Sequence, residues 1–296
     1  MNEHGFSSGT KRRSSRTIFK EIGPPIYKFK TVLDVLYALI DAIRVHQRMV
    51  QQAGVLHGNV SINSIIFGGV VPGADSEEGR RVSLVDFDMS ISHDCSDAPL
   101  SDEHHRTGTR MFQSLNVLKA WRPHGYLDDL ESFLYVLLYL IFAFPTPGAT
   151  PTAQVQRELP KELQDWNADS LREAFKSKST FMTYGASDLP VPPMWGPHIS
   201  ALIDDLCHHF QPIRAMSSRM QHRNLPKAQR DKLEASFEKK YFDDVDEQYD
   251  EVVGYIESAI ESILAEQDSA NDSEQSTLSD SLSHSRPSKG RREEGI

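Results

Sequence analysis

The sequence predicts a mainly α-helical fold with one small β-hairpin, an α+β arrangement, on three observations. Apolar residues recur at helical spacing through "TVLDVLYALIDAIRVHQRMVQQAG". Two short β-rich runs, "NSIIFGGVVPG" and "RRVSLVDFDMSI", follow with a polar, Gly-containing segment between them. Finally, "YLDDLESFLYVLLYLIFAFP" becomes apolar on every side, the pattern of a helix enclosed by protein.

Taken in order, residues 1–16 are polar with a Lys11-Arg12-Arg13 cluster and read as a solvated basic tail. The stretch "RTIFKEIGPPIYKF" alternates like a short strand running into the Gly23-Pro24-Pro25 break. The first helix should start at a capping box made by Thr31 and Asp34 and stop at Gly54, with Leu36, Leu39, Ile40, Ile43 and Val50 on its buried face. The hairpin comes next, and residues 92–126 show too little periodicity for anything but an extended, irregular segment. Asp128, Asp129 and Glu131 open the enclosed helix, where their charge complements the positive end of the helix dipole, and Pro145 helps end it. The patterns around "LPKELQDWNADSLREAFKSKSTFM" and "HISALIDDLCHHF" add a helical second half. Residues 223–267 read as a charged helical extension, and residues 268–296, Ser-rich with almost nothing to bury, as a disordered tail.

The composition excludes several classes. A chain of 296 residues with a net charge of -10 lacks the overall basic character of a nucleic-acid binder. Cys95 and Cys207 have neither metal-ligand spacing nor a disulfide framework, which suits a reducing compartment. No apolar run follows the first methionine, and Phe133 to Phe144 falls short of the roughly 20 residues that span a bilayer. An intracellular protein of cytoplasm or nucleus, with no membrane or nucleic-acid partner, is the expectation.

The chemistry concentrates in four linked features. "LHGNVSINSII" places His57 two residues before Asn59 and seven before Ser64, in a loop between the first helix and the hairpin. The hairpin ends in Val85-Asp86-Phe87-Asp88. Thr107-Gly108-Thr109 follows a polar segment, and Asp128-Asp129-Leu130-Glu131-Ser132 opens the enclosed helix.

In this order and context the motifs resemble the C-terminal lobe of protein kinases, and most closely the fungal-type protein kinase family, whose members carry a His-Arg-Asp-Ile-Ser loop, an Asp-Phe-Asp motif, a Thr-Gly-Thr segment and an Asp-Asp-Leu-Glu-Ser helix. The spacing from Gly108 through Ser114-Leu115-Asn116 to Asp129 is similar to casein-kinase-type enzymes. The resemblance implies a kinase-like C-lobe over residues 17–222, with most of the β-rich N-terminal lobe lacking, and it implies Ser/Thr phosphoryl transfer from ATP with magnesium to a protein substrate. Residue by residue, it places Asp86 on the metal and, with Asp88 as a weaker second contact, at the nucleotide. Phe87 would lie beneath the site. Thr107, Gly108 and Thr109 would form a ledge for the substrate peptide. Asp129 would accept backbone amides of the loop around His57, Glu131 would support the same helix, and Ser61 matches the loop serine.

Three positions depart from the family pattern. Asn59 stands for the base that orients the acceptor hydroxyl, Ser64 for the second metal-binding amide, and Gly58 for the arginine that reads a phosphorylated activation segment. An amide cannot take a proton as a carboxylate does, and losing general-base action typically costs about 10²- to 10⁴-fold in rate. Asn63, one position early, could reach a metal only if the loop shifted. Neither a Gly-rich loop nor a strand lysine precedes the "GPPIYKF" break, "GFSSGTK" lacking the required glycine spacing. The expectation is therefore a pseudokinase or truncated kinase that binds a protein partner. The alternatives are an active kinase missing its N-lobe through truncation, a small-molecule phosphotransferase of the aminoglycoside or choline kinase type, which shares the His-Gly pair, and a purely helical interaction module.

Overall fold

The computed structural model of the chain describes residues 23–68, 82–92, 109–144, 159–187 and 189–283. It is mainly helical with two small antiparallel strand pairs, as the periodicities predict. Helix α1 spans Val32–Arg48. Its capping box is formed: the Asp34 amide donates to Thr31 Oγ1 at 3.1 Å, and the Thr31 amide to Asp34 Oδ2 at 2.9 Å. A π-helical turn, Met49–Ala53, winds it down to Gly54, whose φ of 60° is the left-handed cap that glycine adopts without strain.

Strand β1, Val55–Leu56, pairs antiparallel with β4, Ile91–Ser92, so that Leu56 faces Ile91. Strands β2, Ile65–Phe67, and β3, Val82–Leu84, form the expected hairpin, with Ile65 opposite Leu84. These pairings bring the turn after β1 against the turn after β3. Upstream, the strand expected before the Gly-Pro-Pro break lies outside the described residues; at the break itself Pro25 forms one bridge with Ile66, followed by a 3₁₀ turn over Ile26–Lys28. Pro24 and Pro25 have no N–H to give to a ladder, so the chain cannot continue as a strand there.

Segment 92–126 corrects an expectation. Among its described residues, Arg110–Phe112 is a 3₁₀ turn and α2, Leu115–Lys119, is a short helix capped by Ser114, whose Oγ accepts the Val117 amide at 3.0 Å. Five residues are too few to show a helical period in sequence.

Helix α3, Tyr126–Ala143, is the axis of the core, with Leu130, Tyr135, Val136, Leu138, Leu140 and Ile141 fully buried. Each such side chain contributes roughly 1.5–3 kcal/mol of burial free energy, which explains the absence of a polar stripe. Around it pack α4, Lys161–Trp166, α5, Leu171–Tyr184, and α6, His198–Met220. The charged extension is two helices, α7, Lys227–Tyr241, and α8, Val245–Ser283, which meet at Phe242–Asp244. Asp244 Oδ1 accepts the Glu247 amide at 3.2 Å and restarts the helix. Helix α8 lies along α1 and α6 and runs past the boundary drawn at 267; neither Gly nor Pro interrupts the sequence between Gly254 and Pro287. None of the helices among the described residues is long and apolar enough to cross a membrane.

Candidate functional site

The site is assembled on one buried carboxylate. Asp129 enters the core on the first turn of α3 with 1 % of its surface exposed. Its Oδ2 accepts the His57 amide at 2.9 Å, and the Gly58 amide points at both oxygens, at 3.1 and 3.2 Å. His124 Nε2 donates to Oδ1 at 2.9 Å and His46 Nε2 to Oδ2 at 2.9 Å. Burial alone would raise the Asp129 pKa, but the charge and hydrogen bond of His124 and the bond from His46 hold it well below the usual carboxylate range. The reciprocal effect raises His124: burial opposes its charge, and the Asp129 carboxylate overcomes the penalty. His46 carries the link further, since its Nδ1 meets the Tyr249 hydroxyl at 2.7 Å and so ties α8 to the loop.

His57 is fully buried under that loop. Its Nε2 donates to the Val85 carbonyl at 3.0 Å while its Nδ1 accepts the Asn59 amide at 3.3 Å, so the two partners select one neutral tautomer. Burial lowers its pKa, in the direction those partners require. The ring thereby clamps the loop after β1 to the turn after β3. Gly58 is required for this approach. Its φ is 73°, and a Cβ there would lie 2.4 Å from the Met89 carbonyl oxygen, so no arginine can occupy the position without moving the turn.

Asp86 begins that turn in the left-handed region at φ 68° and ψ 62°, a conformation that costs a non-Gly residue roughly 1–2 kcal/mol. The Val85 amide, bonded to the Ser64 carbonyl at 2.9 Å, fixes the strand end that precedes it. Asn59 then joins the pieces. Its Nδ2 donates to Asp86 Oδ2 at 3.4 Å, and its Oδ1 accepts the Thr109 amide at 3.0 Å. One side chain thus bridges the residue expected on the metal and the start of the 109–113 segment.

Other expected site residues are placed differently. Ser61 and Ser64, at 3 % and 0 % exposure, face inward and close the loop on itself: Ser64 Oγ accepts the Ser61 amide at 2.9 Å and donates to the Ser61 carbonyl at 3.0 Å, while Ser61 Oγ accepts the Asn63 amide at 3.2 Å. Neither hydroxyl is presented to a metal or a phosphate, because a short buried turn must satisfy its own polar groups first. Phe87 is 39 % exposed rather than packed beneath the site, although its ring lies 5.1 Å from that of His57. Asp88 is exposed on the same 3₁₀ turn, Phe87–Met89. Thr109 reaches the loop through its backbone; Thr107 and Gly108 lie outside the described residues.

The remaining acids of α3 are buried acceptors as well as dipole partners. Asp128 receives Ser114 Oγ at 2.6 Å and Asn116 Nδ2 at 3.0 Å, and Glu131 Oε1 receives the Leu115 amide at 2.9 Å and the Tyr135 hydroxyl at 2.6 Å. Sequence reasoning missed Lys178. It is fully buried, and its Nζ points at the carbonyls of Arg110, Met111 and Gln113 at 3.4, 2.8 and 2.6 Å, 3.6 Å from the centre of the Tyr135 ring. Burial lowers its pKa and Glu131 opposes the shift; three carbonyl acceptors call for the three N–H bonds that only the ammonium supplies. Its one signal in sequence was a lysine on the apolar face of "SLREAFKSKSTFM". His46 and Tyr249 gave no signal, because their partners are far away in the chain, and His124, five residues before Asp129, lies in a stretch without helical period.

Magnesium takes near-octahedral oxygen coordination through one or two carboxylates together with phosphates and water. Of the expected ligands, Asp86 presents an exposed carboxylate, already in contact with Asn59, and Ser64 presents none. No group of three or more His, Cys, Asp or Glu side chains able to hold a metal occurs among the described residues. The donor set does not fit the two-ion arrangement that the kinase resemblance implies.

A search of curated proteins finds no match to the chain. Residues 3–141, just under half of the chain, match the model of the fungal protein kinase family, and the loop of His57, the turn of Asp86 and the anchor at Asp129 all fall within that kinase-like segment.

Proposed function

We propose that the chain is a pseudokinase: a kinase-like helical lobe that engages a protein partner and performs little or no phosphoryl transfer. The observation that carries this reading is the Asn59 bridge. A carboxylate at that position would repel Asp86 unless a cation lay between them, and it would be able to take the acceptor hydroxyl's proton. The carboxamide instead donates to Asp86 and accepts from the Thr109 amide, which links the two segments through neutral hydrogen bonds and leaves no base at the position. The inward-facing Ser64 hydroxyl supports the same conclusion. ATP and magnesium are used by protein kinases generally; here their binding would rest on Asp86 alone.

A groove of about 720 Å³ beside this point, lined by Tyr27, Ile62, Asn63, Thr109, Phe112 and Tyr139, would receive a segment of the partner protein. The test is transfer of radiolabelled phosphate from ATP to a Ser/Thr peptide library by the purified chain, with Asp86→Ala as background. No transfer above that background is the expected result. Turnover that Asp86→Ala abolishes would establish an active kinase and overturn the proposal.

The substitution Asn59→Asp gives a second readout. It would set two carboxylates about 3.4 Å apart, a repulsion of about 1–2.5 kcal/mol at the effective dielectric constant of roughly 40–80 suited to exposed groups. The variant should unfold at lower temperature than the parent, and millimolar magnesium should restore it while leaving the parent unchanged. A parent stabilised by magnesium to the same extent would contradict this reading.

A further inference from the structure

The segment after α2, with α5 and α6, encloses a groove of about 610 Å³ lined by Trp121, Phe175, Ser179, Arg214, Arg219 and His222, together with small and aliphatic residues of α6 and the turn after it. Arg214, Ser218 and His222 are spaced four residues apart, with Arg219 next to Ser218, so the end of α6 and the turn after it bring these cations to the groove. No acid lines it. Among the described residues neither arginine nor His222 is paired with a carboxylate; Arg214 donates only to the Ser179 carbonyl and hydroxyl, at 2.9 and 3.1 Å, and to Thr183 Oγ1 at 3.3 Å. Lys119 adds a further positive charge at the rim, its Nζ lying 4.2 Å from the centre of the Phe175 ring. The opposite wall is aromatic, with Trp121 and Phe175 packed edge to face at 5.5 Å.

Cations concentrated in one groove of a chain of net charge -10 would draw an anion there rather than to the acidic remainder of the surface. The shape narrows the class. The guanidinium fork matches a pair of oxygens on a phosphate or carboxylate, and arginine clusters recognise phosphorylated motifs in this way. The volume lies within the range of small-ligand sites, enough for a few side chains. A nucleic acid would place many more phosphates against the acidic remainder of the surface, where the repulsion grows with length. A short peptide with one phosphate and an apolar neighbour uses both walls.

We infer that this groove binds a short acidic peptide phosphorylated on Ser or Thr, with the phosphate on Arg214 and Arg219 and an adjacent apolar side chain on Trp121 and Phe175. The site is separate from the Asn59 centre and does not depend on whether that centre is active.

The chain supplies its own reporter. Of its three tryptophans, Trp166 and Trp195 are buried and Trp121 is partly exposed in the groove, so a bound ligand should change the emission of Trp121. The experiment titrates the full chain with the peptide Leu-Asp-phosphoSer-Asp-Leu, its unphosphorylated form and a 20-base-pair DNA duplex, following tryptophan emission. The phosphopeptide should bind at least tenfold tighter than its unphosphorylated form. The exposed pair Arg219→Glu and His222→Glu should remove at least tenfold of that affinity while leaving the melting temperature of the unbound chain within a few degrees. Equal binding of the two peptides, an unchanged affinity in the charge-reversed variant, or displacement of the phosphopeptide by a lower concentration of DNA would each overturn the inference.

Discussion

Asp129→Ala should be among the most destabilising single substitutions available in this chain. The carboxylate accepts the amides of His57 and Gly58 and the ring N–H groups of His46 and His124, all in the interior. Removing it leaves two backbone donors without a partner and the raised His124 without its countercharge. An unsatisfied buried donor costs about 1–3 kcal/mol, and breaking a buried ion pair from one side costs about 3–5 kcal/mol. These terms share one cavity and do not add in full, so the expected loss is about 4–5 kcal/mol. At about 2–4 °C per kcal/mol for a domain of 150–250 residues, the melting temperature should fall by about 8–20 °C. Asp129→Asn retains one acceptor oxygen but turns an NH₂ towards donors, and should lose about half as much. Urea titration of both variants, with amide exchange at Gly58 as the local readout, measures this directly. If Asp129→Ala lost less than about 1 kcal/mol and Gly58 stayed protected, the carboxylate would not be the anchor of the loop.

Three further outcomes are expected. Tyr249→Phe removes the hydroxyl that meets His46 at 2.7 Å, so it should cost about 1 kcal/mol and raise amide exchange in the 57–64 loop, far from the substitution in sequence; a change confined to α8 would refute the coupling. Stability should have a window in pH: the Asp129 contribution is present above its unfolded pKa of 3.8 and is lost in acid, whereas the His124 contribution is present in full below its unfolded pKa of 6.5 and fades as pH rises through the raised folded value. A His124→Asn chain should therefore be less stable near pH 6 and should lose the alkaline slope, which a urea series across pH would show. Lys178→Met should cost about 1–3 kcal/mol and loosen the 110–113 segment, since three carbonyls lose their donor; unchanged exchange there would show that packing alone holds it.

What was legible in the sequence was whatever repeats locally. The Thr31 capping box, the Gly54 stop, the hairpin and the enclosed α3 each rest on patterns a few residues wide, and each is formed. The order of His57, Asp86 and Asp129 was legible because the resemblance preserves their spacing. The side chains that connect elements were not. His46 and Tyr249 lie 203 residues apart, and Lys178 meets carbonyls 65 to 68 positions upstream. No local period encodes such contacts, and a carbonyl acceptor leaves no trace in residue identity. The same limit explains Ser64, which was placed on the metal by position, whereas its direction is decided by the turn it closes.

The two halves of the site have opposite tolerances, and this gives the substitutions their meaning. Asp129 acts entirely through buried hydrogen bonds, so replacing it would cost the fold several kcal/mol whatever chemistry the chain performs. Asn59 and Asp86 meet near solvent, where exchanging an amide for a carboxylate alters proton transfer by orders of magnitude and changes stability by only about 1–2.5 kcal/mol, well short of the loss at Asp129. Selection for a stable kinase-like surface alone would therefore retain Asp129, the clamp of His57 and the glycine at 58, and would leave position 59 free to change. The amide found there is compatible with the frame and, through its two hydrogen bonds, adds to it. An intact anchor beside an amide at position 59 is the arrangement the proposed pseudokinase reading expects, and the phosphopeptide groove inferred between α5 and α6 would give such a lobe a second binding surface.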